Sequence, residues 1–256
     1  MSSTTTKPSI IVIPGSFTPL AFWVPIIADL KAHGYDAHGI ELETVGRRDK
    51  APGLYDDAAK VAALASRLAD EGRDVVLVPH SYGGIVACEA SKGLAKSVRE
   101  REGKPGGIVR IIFVTAVVGL EGQSVKDVFA DGELDFFHVE AGYMVMDAAS
   151  SAAVAFSDLS PEEGLAWASK MPDHSAISFT QSLTYGAYKD VAVSYLFCEH
   201  DKLVTPEVQN KIIAAMESEM AGRRVERHLV RSDHAINASH PKTVVEVVRK
   251  ALGDVE

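Results

Sequence analysis

The sequence is poor in cysteine. Only Cys88 and Cys198 occur among 256 residues. One falls in a predicted helix and the other at the end of an apolar strand. We therefore expect two buried thiols that behave as small hydrophobic groups, not a disulfide.

Basic side chains and long apolar runs are also scarce. Lysine and arginine total 26 against 35 aspartates and glutamates, a net charge of -9. Such a balance lacks the basic face that a nucleic-acid partner requires. No apolar run reaches the roughly 18 residues of a membrane span. Residues 1–7 are polar and precede no signal-like apolar stretch, so we expect a cytoplasmic protein without membrane partners.

The remaining composition, 46% hydrophobic and 24% charged residues, is ordinary for a globular protein. Apolar runs alternate with amphipathic helical segments, which suits one α/β domain, with or without an insertion. Runs that are apolar on both faces are typical of a parallel sheet covered on both sides by helices. The predicted fold class is α/β, with a mainly parallel six-stranded sheet. The predicted strands are residues 9–13, 35–42, 74–78, 108–118, 191–198 and 225–230.

This alternation stops between residues 120 and 190. The segment shows helical patches but no convincing buried strand. We expect a helical cap insertion at 120–190 over the carboxyl ends of the strands, with 1–119 and 191–256 forming the core. A helical excursion with its own small core is the alternative. The aromatic and methionine residues of this segment are Phe136, Phe137, Tyr143, Met144, Met146, Phe156, Trp167, Met171, Phe179 and Tyr185.

A serine stands at the turn between the third predicted strand and a predicted helix over 85–98. The residues are Pro79-His80-Ser81-Tyr82-Gly83. A strand, a sharp turn with serine at its tip and a helix form the context of a nucleophile elbow. The strained turn requires small neighbours, which Gly83 satisfies and Pro79 satisfies less well. A serine hydroxyl needs a base to become a nucleophile, so we searched other strand ends for partners.

An acid and a base follow the two last predicted strands. Asp201 comes after strand 191–198, and His234 comes after strand 225–230. Ligands of open α/β sheets bind outside the carboxyl ends of the strands, where these side chains would meet Ser81. The predicted catalytic residues are Ser81, Asp201 and His234. Glu199 and Glu121 stay open as alternative acids.

Acyl transfer also needs two amide donors for the oxyanion. We expect one from Tyr82, at the start of a helix whose dipole favours negative charge. The second is predicted at Ser16, because Gly15 permits a tight turn after the first strand. The histidines show no metal-ligand spacing and no His-Glu-x-x-His motif occurs, so we expect no bound metal.

Four segments together resemble the α/β-hydrolase fold superfamily: 14–17, 79–84, 198–201 and 233–234. The order serine, acid, histidine is also that of these enzymes. The sequence is most similar to the small members grouped with plant methylesterases and hydroxynitrile lyases, and to their fungal hydrolase relatives. The resemblance implies hydrolysis of esters, lactones or thioesters of small organic acids without a cofactor. Two departures are Pro14 in place of the usual histidine and Pro79 in place of the usual first glycine.

The sequence therefore predicts a serine hydrolase of the carboxylic-ester type. Its expected partner is a small apolar or aromatic substrate, given the side chains of the predicted cap. Two other functions stay open: a hydroxynitrile, retro-aldol or retro-Claisen lyase, and a ligand-binding receptor. The related lyases carry threonine where Gly15 stands and lysine where Ala235 stands, so both markers are missing. A homodimer stays open as well.

Overall fold

A computed structural model describes residues 7–129 and 137–255. Phe136 and residues 1–6 of the polar amino terminus lie outside the described residues. Within these two ranges the chain forms nine strands, in two sheets. They are β1 (Ser9–Ile13), β2 (Asp36–Gly39), β3 (Asp74–Pro79), β4 (Gly107–Val114), β5 (Phe137–Glu140), β6 (Tyr143–Met146), β7 (His174–Ser175), β8 (Ala192–Cys198) and β9 (Glu226–Val230).

The larger sheet has six strands in the order β2-β1-β3-β4-β8-β9, and every neighbouring pair is parallel. This confirms the predicted fold class. The strand predicted over 108–118 is shorter than expected. It ends at Val114, because Thr115 turns away with a φ of +35°. Three of the strand ends carry the side chains considered below.

Ten α-helices surround the sheets within the described residues. They are α1 (Val24–Ala32), α2 (Leu54–Asp70), α3 (Gly83–Ala90), α4 (Lys96–Arg101), α5 (Val125–Val128), α6 (Ala148–Ala155), α7 (Pro161–Ala168), α8 (Pro206–Glu219), α9 (Ile236–Ser239) and α10 (Pro241–Ala251). The prediction of a single helix over 85–98 is wrong. The chain leaves α3 after Ala90 and turns through Gly93, whose φ is +75°.

Alternate side chains of the buried strands pack on opposite faces of the sheet. Ile11 and Ile13 of β1 join a core that includes side chains of α2 and α3. Ile10 and Val12 join a second core with side chains of α1 and α10. Cys88 and Cys198 are both free and buried, as predicted. No helix in the described parts of the chain is long and apolar enough to cross a bilayer.

The segment 120–190 contains helices, as expected, and also the second sheet. Strands β5, β6 and β7 pair antiparallel in that order. Sequence periodicity missed this sheet because β5 is largely exposed and β7 has only two residues. The proposed cap boundaries at 120 and 190 stay a prediction.

Candidate active site

Ser81 lies directly after β3 in a strained turn. Its φ is +50°, in the left-handed region that residues other than glycine rarely adopt. A Cβ atom at Gly83 would lie 2.7 Å from the carbonyl oxygens of Ile13 and Pro14. Only glycine fits there, so the sharp turn and the close approach of the β1 loop depend on Gly83.

The side chains of Ser81, His234 and Asp201 come from three different loops and form a chain of hydrogen bonds. The Oγ atom of Ser81 lies 3.0 Å from Nε2 of His234. Nδ1 of His234 lies 2.7 Å from Oδ2 of Asp201. All three residues are buried. The structure thus brings the three predicted residues into one hydrogen-bonded line.

The two alternative acids lie elsewhere. Glu199 faces Arg231 at 4.0 Å, on an exposed loop. Glu121 accepts a hydrogen bond from the Gly186 amide and pairs with Lys189. Neither contacts His234 among the described interactions.

Asp201 is held by three further donors. The amides of Leu203 and Val204 donate to Oδ1, at 2.8 and 2.9 Å. The hydroxyl of Thr115 donates to Oδ2 at 2.5 Å. Sequence analysis missed Thr115, which is 86 positions from Asp201 and lies in an apolar run without a motif.

His80, directly before Ser81, contacts the loop that carries His234. Its Nε2 atom lies 2.9 Å from the carbonyl oxygen of His234, and the two rings are 4.8 Å apart. Burial, and next the neighbouring His234, lower the pKa of His80 to about 3. A neutral His80 therefore donates to the backbone of the loop that carries His234.

The loop 14–17 lies against the turn that carries Ser81. A Cβ atom at Gly15 would lie 2.9 Å from Cβ of Ser81. Neither the Ser16 amide nor the Tyr82 amide donates a hydrogen bond to another residue in the described ranges. Tyr82 directly follows Ser81, and both Ser16 and Tyr82 line the same cavity.

The side chain of Tyr82 is anchored by a carboxylate that the sequence did not reveal. Its hydroxyl donates to Oδ2 of the fully buried Asp57 at 3.0 Å. The Thr44 hydroxyl donates to the same oxygen at 2.6 Å. Burial raises the pKa of Asp57 and the pKa of Tyr82. These contacts fix the residue that follows Ser81.

A largely apolar cavity of about 770 Å³, counted out to its mouth, opens above Ser81. Its walls come from the core loops, from α6 and from other parts of segment 120–190. Such a cavity suits a small organic ligand. The hydrophobic lining residues are Phe17, Phe22, Val117, Val125, Phe129, Met146, Val154, Ala155, Phe156, Met171, Phe179, Leu203, Val204 and Ala235. Within residues 7–129 and 137–255, no three His, Cys, Asp or Glu side chains are grouped for a metal ion.

The sequence model of the alpha/beta hydrolase family matches residues 10–247. The chain belongs to this family. It is 33% identical to the probable hydrolase R7 of Phoma sp. over 254 residues, which cover 97% of this chain and 99% of that protein.

Two solved structures share the fold of this family member. One is a pyrethroid hydrolase from Sphingobium faniae JZ-2, with a TM-score of 0.73, 22% identity and coverage of 96% of this chain and 97% of that one. The other is polyneuridine aldehyde esterase, with a TM-score of 0.74, 16% identity and coverage of 96% and 99%.

Proposed function

We propose that this protein is a serine hydrolase that cleaves an ester, lactone or thioester of a small apolar or aromatic substrate. The observation that carries the proposal is the hydrogen-bonded line from Ser81 through His234 to Asp201 at the base of the cavity. This arrangement has the contacts that activate a serine hydroxyl.

In the proposed first step, Oγ of Ser81 attacks the carbonyl carbon of the substrate. Nε2 of His234 takes the hydroxyl proton as the new bond forms. Asp201 accepts from Nδ1, which keeps Nε2 free and stabilises the charged imidazole. His234 then returns the proton to the leaving alcohol or thiol as its bond to carbon breaks, which leaves an acyl-enzyme.

In the second step, water attacks the acyl carbon and passes a proton to His234. The bond to Ser81 breaks, its oxygen regains the proton and the acid leaves. The carbonyl oxygen becomes negative in both steps. The Ser16 and Tyr82 amides, which have no other described acceptor, donate to that oxygen.

The substrate class follows from the cavity wall, which has aromatic, methionine and aliphatic side chains above Ser81. The names of the related proteins, a probable hydrolase, a pyrethroid hydrolase and an esterase, agree with ester hydrolysis. Ala235, next to His234, lines the cavity where the related lyases carry lysine. The hydrolase is therefore favoured over the lyase.

The first prediction is that Ser81→Ala abolishes turnover of a p-nitrophenyl ester, because no other atom can form the acyl intermediate. Loss of at least about 10³-fold in kcat is expected, with the thermal midpoint preserved. Intact mass after treatment with a fluorophosphonate should show one adduct on the wild type and none on the variant. Undiminished turnover by Ser81→Ala would refute the proposed nucleophile.

A further inference from the structure

A buried histidine of segment 120–190 contacts the loop that carries Ser16. His174, in β7, has no exposed surface, and its Nδ1 atom lies 3.3 Å from the amide nitrogen of Phe17. Its ring is 5.3 Å from the Phe17 ring and 5.0 Å from the Tyr82 ring. The imidazole thus touches the residue after Ser16 and also Tyr82. Ser16 and Tyr82 are the two proposed oxyanion donors.

The hydrogen bonds of His174 determine which ring nitrogen carries the proton. The Ser178 hydroxyl donates to the Ser175 carbonyl oxygen at 2.7 Å, which uses its only hydrogen. Ser178 Oγ therefore accepts from Nε2 of His174, 3.1 Å away. Nδ1 is then unprotonated and accepts from the Phe17 amide. Burial lowers the pKa of His174 to about 3, so the ring is neutral at ordinary pH.

Phe17 needs such support because its φ is +59°. This left-handed conformation is unfavourable for a bulky residue. It turns the chain directly after Ser16, so the peptide planes on either side depend on it. Thr18 supplies two other restraints on the loop: its amide reaches the Gly15 carbonyl oxygen at 3.4 Å, and its hydroxyl donates to the Ser16 carbonyl oxygen at 3.0 Å.

Strand β7 is itself attached to the core. The Ser175 amide donates to the Thr44 carbonyl oxygen at 2.9 Å, and the Gly46 amide donates to the Asp173 carbonyl oxygen at 2.7 Å. Because His174 is fully buried and does not line the cavity, it does not touch a ligand there. Any effect on the reaction must pass through the residues that His174 contacts, of which Phe17 and Tyr82 line the cavity.

We infer that His174 is a positioning residue: it holds Phe17 in its left-handed conformation and so directs the Ser16 amide toward the oxyanion. The inference rests on the proposed hydrolase function. It assigns part of the proposed oxyanion hole to a side chain from outside the core, 157 positions from Phe17.

The test uses three variants and one matched control. His174→Leu removes the acceptor, whereas His174→Asn keeps an oxygen at the position of Nδ1. Ser178→Ala removes the group that selects the tautomer. The control is Thr180→Ala, which removes a hydroxyl that donates to the carbonyl oxygen of Ile177, the residue before Ser178.

We expect His174→Leu and Ser178→Ala to lower kcat about 10- to 100-fold with KM changed little, the size of effect expected for a misplaced group. His174→Asn should recover most of this loss, and Thr180→Ala should match the wild type. A boronic acid that forms a tetrahedral adduct should lose affinity in parallel with kcat, whereas a product carboxylic acid should not. Equal kcat in folded His174→Leu, or equal losses in the leucine and asparagine variants, would overturn the inference.

Two readouts separate this inference from the proposed function. If the wild type hydrolyses no ester, the function fails. The inference is then judged from the rate at which a fluorophosphonate labels Ser81, since phosphonylation also places negative charge on an oxygen. Nuclear magnetic resonance of the wild type should show Nδ1 of His174 unprotonated, even if variants fail to fold. A proton on Nδ1 would refute the inference.

Discussion

Of the five non-glycine residues with positive φ in the described parts of the chain, three lie where the proposed chemistry occurs. Phe17, Ser81 and Thr115 have φ values of +59°, +50° and +35°. Each such residue costs about 1–3 kcal/mol and persists only if its surroundings enforce it. The Ser81 amide donates to the Val114 carbonyl oxygen, and the Thr115 amide donates to the Leu196 carbonyl oxygen. Neighbouring strands therefore maintain the strained turns.

The Thr115 hydroxyl allows a test of a single contact. Thr115→Val keeps the shape of the side chain but removes the donor to Asp201. A hydrogen bond to a charged group contributes about 1.5–3 kcal/mol, so we expect the free energy of unfolding to fall by that amount. Because Asp201 orients His234, kcat should also fall, by about 10-fold. Urea denaturation and ester kinetics measure the two effects.

Thr115→Ser is the control for this prediction. It retains the hydroxyl, and its smaller side chain tolerates the left-handed backbone. Kinetics close to those of the wild type are expected. If the valine variant were as stable and active as the serine variant, the contact between Thr115 and Asp201 would have no measurable role.

Helix α6 forms a wall between two spaces. Ser151, Val154 and Ala155 line the cavity above Ser81, whereas other residues of α6 line an outer groove with α7. Phe156, just after α6, lines both and stacks on Trp167 at 6.4 Å. This side chain therefore closes the cavity on that side.

Removal of the Phe156 side chain should change the substrate range. We predict that Phe156→Ala raises kcat/KM for a long acyl p-nitrophenyl ester relative to a short one by about 10- to 100-fold, because added methylenes gain apolar contacts in the groove. The loss of a buried phenylalanine should also cost about 3–5 kcal/mol of stability. Steady-state kinetics with octanoate and butyrate esters measure the ratio.

Leu165→Ala is the matched control. Leu165 lines only the outer groove and is 44% exposed. Its removal should leave the preference for chain length unchanged. An unchanged ratio in Phe156→Ala as well would mean that Phe156 does not set the depth of the cavity.

Segment 120–190 and the core meet at the loop that carries His234. The Ala235 amide donates to the Ala155 carbonyl oxygen at 2.8 Å. The amides of Asp158 and Asp233 each donate to the carboxylate of the other, both at 2.9 Å. The end of α6 and the loop of His234 are thus held together. The position of one relative to the other therefore depends on the whole fold.

Stability should depend on pH through the buried side chains of His80 and His174. The folded-state pKa values of His80 and His174 are about 3, against 6.5 as the ordinary value. Between these values the unfolded chain binds more protons, so stability rises with pH and is lost as pH falls below 6.5. Each histidine contributes a slope of about 1.4 kcal/mol per pH unit. The raised pKa values of Asp57 and Asp233 act in the opposite direction, because the folded state then binds the extra protons.

Comparison of the wild type with His174→Asn isolates the contribution of His174 to this pH dependence. At pH values near 5, the variant should show a slope lower by about 1.4 kcal/mol per pH unit, because asparagine does not titrate. Urea unfolding at several pH values measures the slope. Equal slopes would mean that His174 is protonated in the folded protein or that its burial is incomplete.

Most strand positions, the α/β class and the side chains that meet at Ser81 were predictable from local patterns. Short apolar runs between turn signals predict buried strands, and a sharp turn such as the one at Ser81 requires a small residue such as Gly83. The break after Ala90 and the strands β5 to β7 were not predictable, because those segments lack a clear period. Their conformation depends on the elements against which they pack.

The contacts of Thr115, His80, His174 and Asp57 required the folded chain. Each joins residues that are far apart in sequence, between 25 and 157 positions. A strand end or a turn is encoded by adjacent residues, whereas the partner of a buried polar group depends on how whole elements dock. Sequence therefore predicted the three side chains of the proposed triad, and the docking of distant segments supplied the groups that contact them.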